Sequence, residues 1–129
     1  MQTLLAVAGG LAIVTGIAHS VLGELLIFRH LRSGTLVPTH GAPPLQGRNV
    51  RILWATWHLA TVFGWAFAAI LLRVAFQPDV PLLPLVAGAT VAANIGGSLL
   101  VLVGTRGRHP GWVALAVVAA LTWRALSVG

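Results

Sequence analysis

Four continuous apolar stretches, at 3–28, 52–74, 81–104 and 111–127, take up most of this chain. A helix rises about 1.5 Å per residue, so stretches of about 20 residues cross a hydrocarbon core about 30 Å thick. Inside hydrocarbon every backbone N–H and C=O must be satisfied within the protein, which leaves only helices and closed barrels. The runs are continuous rather than alternating. The chain therefore reads as all-α, a four-helix transmembrane bundle forming one integral membrane domain over residues 1–129.

The balance of residues agrees. Only 8% are charged and 57% are hydrophobic, with a mean hydropathy of +0.92, whereas a soluble domain carries roughly a quarter charged residues. The absence of cysteine removes disulfides, thiolate metal sites and thiol nucleophiles. Met1-Gln2-Thr3 lacks a positive leader and runs directly into the first stretch, which is read as a retained helix. Pro81, Pro84 and Pro110 fall where the third and fourth spans open, and Trp112 and Trp123 bracket the fourth as interfacial aromatics do.

All eight basic residues are arginine, and with the many Ala, Gly and Val this points to a bacterial chain. Arg29, Arg32, Arg48 and Arg51 lie in the long 29–51 connection, and Arg106 and Arg108 lie in the 105–110 turn. The opposite side has only Arg73, beside Asp79, and Arg124. The positive-inside rule makes the two arginine-rich connections cytoplasmic and places both termini outside, in the inner membrane of a bacterium. The charge is thus assigned to topology and anionic lipid head groups rather than to nucleic acid. The first connection, with Pro38, His40, Pro43 and Pro44, reads as an irregular linker.

Ionisable side chains within a span are costly and usually mark function. The first span places His19 and Glu24 beside small-residue stripes, Gly9-Ala12-Gly16-His19-Gly23 and Ala8-Ala12-Gly16-Ser20-Glu24, the kind of surface on which membrane helices approach closely. The second aligns Arg51, Trp54, His58, Thr61 and Trp65 on one face. The third aligns Ala87, Thr90, Asn94 and Gly97. Measured from the cytoplasmic ends, His19 lies about 13 Å deep, His58 about 10 Å and Asn94 about 15 Å, with Glu24 shallower at about 6 Å. The expectation is one polar layer of His19, His58 and Asn94 between three helices, supported by Ser20, Thr61 and Trp54, with a Glu24–Arg51 ion pair beneath it. Trp54, Trp57 and Trp65 read first as anchors and core filler, and His30, His40 and His109 as solvated loop residues.

The motifs His19-Ser20-x-Leu22-Gly23-Glu24 and Arg51-x-x-Trp54-x-x-Trp57-His58-x-x-Thr61 resemble those of small bacterial four-helix integral membrane proteins of unknown function. The likeness covers the first two spans and implies no particular activity. The architecture is also similar to that of small multidrug resistance transporters, which carry a first-helix glutamate. Here Glu24 sits near the end of its span, the first connection is long, and histidines accompany the acid.

Three readings of function follow. In the first, His19 and His58 bind a divalent metal, a haem or another small ligand, or pass protons, since imidazole changes charge near neutral pH. Glu24 and Arg51 then give charged support. In the second, Glu24 drives proton-coupled transport of a small solute. In the third, the chain is a non-catalytic subunit of a larger membrane complex or pairs with itself through a small-residue face. A hydrolase is disfavoured. No nucleophile elbow or paired carboxylate is present, and His19 and Ser20, as neighbours on a helix, point in different directions.

Overall fold

The computed structural model describes residues 1–128. It contains four long helices, α1 (Gln2–Leu26), α2 (Gly47–Phe76), α3 (Leu82–Thr105) and α4 (Gly111–Val128), with a short 3-10 turn at Phe28–Leu31. All four helices are long and apolar enough to cross a membrane, and the chain is an all-α, four-helix transmembrane bundle. Its surface is apolar outward: Leu4, Leu11, Phe67, Leu83 and Leu121 are all exposed, as lipid-facing side chains are.

Helix α2 begins at Gly47 rather than near 52, so Arg48 and Arg51 stand on the helix and not in the linker. A helix has no reason to stop at the edge of the hydrocarbon, and Arg is a good helix former. Pro43 and Pro44 block extension further upstream. The rest of the first connection is irregular beyond one 3-10 turn, as expected, but it is pinned in place. Its 3-10 turn buries Phe28, and the Leu31 carbonyl accepts the N–H groups of both Thr39 and His40 at 3.0 Å. That folds the connection back across the end of α1.

Packing runs from neighbour to neighbour, α1 on α2, α2 on α3 and α3 on α4. The α1–α2 seam has a seven-residue repeat. Buried Gly9, Gly16 and Gly23 each receive a large α2 side chain: Leu72, Trp65 and Trp57 respectively. A Cβ on Gly9 would come within 2.7 Å of Leu72 Cγ, and at Gly16 and Gly23 it would overlap the indole. Between α2 and α3 the same device recurs at Gly97, against Leu59, and Gly104, against Ala55 and Trp54. Lipid tails are as apolar as leucine, so close backbone approach and interhelical hydrogen bonds hold such a bundle together.

Among the described residues the α3–α4 pair has one side-chain link of this kind, from the Ser98 hydroxyl to the Trp112 carbonyl at 2.8 Å. Ser98→Ala is expected to lower stability by about 0.6 kcal/mol, the mean for interhelical bonds in membranes, as read by denaturant titration in mixed micelles. A cost above about 2 kcal/mol would mean that the hydroxyl has a role beyond this bond.

Helix α3 ends on Arg106 in the left-handed conformation (φ 54°), followed by Gly107 (φ 73°), whose N–H bonds to the Leu102 carbonyl at 2.8 Å. Glycine is the usual residue at such a cap. Arginine at this position costs about 1–2 kcal/mol.

Candidate functional site

Glu24 lies one residue after buried Gly23, in the last turn of α1, where its carboxylate meets both the α2 face and the returning first connection. Three donors converge on it. The Trp54 indole N–H donates to Oε1 at 2.6 Å, His58 Nε2 lies 2.9 Å from the same oxygen, and the Arg32 guanidinium pairs with Oε2. The carboxylate is 29% exposed, Arg32 is 22% and His58 is 14%. Both oxygens of Glu24 thus face donors.

The predicted Glu24–Arg51 pair does not form. Arg32 takes that place because the first connection folds back, while Arg51 faces a cavity with Arg48, Arg106 and Arg108. Nothing in the sequence marked Arg32 over Arg29, Arg48 or Arg51. Its selection depends on the Leu31 carbonyl contacts that turn the connection around.

From His58 the polar contacts continue inward. Nδ1 lies 2.9 Å from Ser20 Oγ, Ser20 Oγ lies 2.8 Å from Thr61 Oγ1, and Thr61 Oγ1 donates to the Gly16 carbonyl at 3.3 Å. Buried Thr61 sits one turn along α2 from His58, and Ser20 one turn along α1 from Glu24. The result is an unbroken sequence of contacts across the seam, Arg32–Glu24–His58–Ser20–Thr61–Gly16. Trp54 covers His58 edge-on at 4.9 Å, and Phe28 lies 6.2 Å away. A groove of about 360 Å³ opens beside Gly16 and Thr61 at the inner end.

His19 does not join that sequence. It stacks on Trp57 (4.3 Å, 7° between planes), its Nε2 lies 3.2 Å from the Trp57 carbonyl, and the Trp57 indole N–H donates to the His19 carbonyl at 2.9 Å. This reciprocal clasp locks α1 to α2. Trp65 repeats half of it by donating to the Ile13 carbonyl at 3.2 Å. The indoles expected to be anchors and filler are thus seam donors.

Asn94 is also apart. It is buried, but its amide donates to the Thr90 carbonyl of its own helix at 2.9 Å, and it makes no hydrogen bond to α1 or α2 among the described residues. The expected three-helix layer is therefore a two-helix site completed by the first connection. Both ring nitrogens of His58 are engaged, so a metal or haem iron there would displace either Ser20 or Glu24. No group of three or more His, Asp or Glu side chains suited to hold a metal occurs among the described residues. Of the loop histidines, His30 and His40 are exposed as expected, whereas His109 is half-buried and its Nδ1 accepts the Gly111 N–H at 3.1 Å.

Comparison with protein-family models, with curated proteins and with solved structures finds no match to this chain.

Proposed function

We propose that the chain is a proton-handling component of the bacterial cytoplasmic membrane, in which Glu24, His58, Ser20 and Thr61 take up, hold and pass a proton between α1 and α2. The observation that carries this reading is the hydrogen-bond chain, because its donors and acceptors can be filled in two ways that differ by one proton.

In the first filling His58 carries both ring protons. Nε2–H donates to Glu24, Nδ1–H to Ser20, the Ser20 hydroxyl to Thr61 and the Thr61 hydroxyl to Gly16, so every contact is a hydrogen bond. In the second His58 is neutral. Nε2–H still donates to Glu24, but Ser20 now donates to Nδ1 and Thr61 to Ser20, and only the longest contact, to Gly16, is lost. A proton arriving at Thr61 converts the second filling into the first by three short transfers: onto Thr61, from Thr61 to Ser20, and from Ser20 to Nδ1. Each hydroxyl gains one proton and gives one up. Arg32 and Trp54 keep the Glu24 carboxylate in place as the acceptor that balances the imidazolium.

By the arginine distribution the site lies in the cytoplasmic half of the membrane, with both termini outside. His19 serves the seam rather than the chain.

Histidine-selective ¹⁵N NMR of the protein in lipid nanodiscs tests this reading. His58 is expected to exchange reversibly between the doubly protonated ring and the Nε2–H tautomer, and Ser20→Ala is expected to change the balance between the two while His19 keeps its own behaviour. A His58 ring that holds a single protonation state wherever the protein stays folded would overturn it.

A further inference from the structure

The end of the bundle that carries the first connection holds a second polar feature, separate from the proton chain. Arg48 and Arg51 from the first turns of α2, and Arg106 and Arg108 from the α3–α4 turn, line one cavity of about 520 Å³ together with Thr39 and His109. That size is within the range of small-molecule sites. Four like charges thus share one lining, where they repel one another.

None of the four guanidinium groups has a hydrogen-bond or ion-pair partner among the described residues. The two acids of the chain are elsewhere: Glu24 is taken by Arg32, and Asp79 lies in the α2–α3 turn at the opposite end. Two further features favour an anion. The α2 N-terminus beside the cavity has neither a side-chain cap nor an acid in its first turn. The His109 Nδ1 accepts the Gly111 N–H, which leaves Nε2–H as the ring's free donor. Arg106 also occupies the left-handed position where glycine is favoured, which keeps a fourth guanidinium at this rim at a conformational cost.

We propose that this cavity binds a phosphate group, as a phospholipid head group or a soluble phosphate, held by Arg48, Arg51, Arg106 and Arg108. Planar guanidinium forks match phosphate oxygens in pairs, and an anion at the centre converts their mutual repulsion into attraction.

The test uses the full chain in maltoside micelles, which carry no phosphate, followed by thermal unfolding. In one arm inorganic phosphate is titrated in, and in the other phosphatidylglycerol is added to the micelles. A rise in Tm with inorganic phosphate identifies a soluble phosphate, and a rise only with phosphatidylglycerol identifies a lipid. In either case Arg51→Gln and Arg108→Gln should each weaken binding about tenfold. Arg51→Lys, which keeps the charge but loses the fork, should fall between Arg51→Gln and the unaltered protein. Arg73→Gln, at the other end, and Glu24→Gln should leave the phosphate response intact. No rise in either arm, or a response weakened equally by Arg73→Gln, would overturn the proposal. The Glu24→Gln control keeps this outcome independent of the proton-handling reading.

Discussion

Glu24→Gln is expected to lower the stability of the bundle by about 2–4 kcal/mol, the cost of leaving one partner of a partly buried charged network uncompensated. The carboxylate accepts from Arg32 on one oxygen and from Trp54 and His58 on the other. A carboxamide has one acceptor oxygen and one donor nitrogen. Whichever way it is turned, an N–H must face either the Arg32 guanidinium or the Trp54 and His58 donors. Arg32 is 22% exposed and can swing partly into solvent, which keeps the loss towards the lower end of that range.

Unfolding by denaturant in mixed micelles measures the loss, and a double-mutant cycle identifies the partner. Glu24→Gln combined with Arg32→Gln should show a coupling of about 1 kcal/mol or more, whereas Glu24→Gln with Arg51→Gln should be additive. The reverse result would restore the Glu24–Arg51 pair that spacing alone suggests. In the same variant His58 loses its anionic partner, so its doubly protonated form should be depleted in the ¹⁵N spectrum.

Gly23→Ala is expected to cost about 2–3 kcal/mol, at the upper end for an overpacked core. The added methyl would overlap the Trp57 indole, and Trp57 has nowhere to go. It is stacked on His19, its N–H is bound to the His19 carbonyl, and its edge meets Phe28 at 6.0 Å. Yielding to the methyl breaks the clasp and shifts the helices that align Ser20 with His58. Gly16→Ala meets Trp65 in the same way, but Trp65 is 42% exposed and is freer to rotate outward, so its cost should be smaller. Gly10→Ala, with open space around the new methyl, should be neutral or mildly stabilising through helix propensity. The order Gly23, Gly16, Gly10 is read from the same unfolding titrations. Equal effects at Gly23 and Gly10 would remove the seam as the basis of α1–α2 packing.

The two substitutions probe parts of the molecule that were legible to different degrees. The Gly9, Gly16 and Gly23 repeat and the His58, Thr61 and Trp65 face are visible as periodicities, because side chains three and four residues apart share one side of a helix. The partners across the seam are not visible in that way. Spacing orders residues around one axis but leaves open how far two helices are rotated and slid against each other. Asn94 has the right depth for the proposed layer, yet its helix is turned so that the amide bonds within α3. His19 shares a stripe with the glycines and is used as a clasp rather than as a second member of the chain. Arg32 lies in a stretch with no periodicity at all.

By itself, then, the sequence determined the four spans, the arginine-rich end and the faces on which His19, Ser20, Glu24, His58 and Thr61 stand. These follow from apolar length and from the 3.6-residue turn, both of which are local properties. Only the tertiary structure decided that Glu24 meets Arg32, that Ser20 and Thr61 extend the chain beyond His58, and that Arg51 joins three other arginines at a cavity. Those outcomes depend on helix rotation, on the seven-residue fit of glycines under Leu72, Trp65 and Trp57, and on the folding back of the first connection. Most of these contacts join residues more than thirty positions apart, and the Glu24–Arg32 pair needs the turn of the connection between them, so no local pattern encodes them.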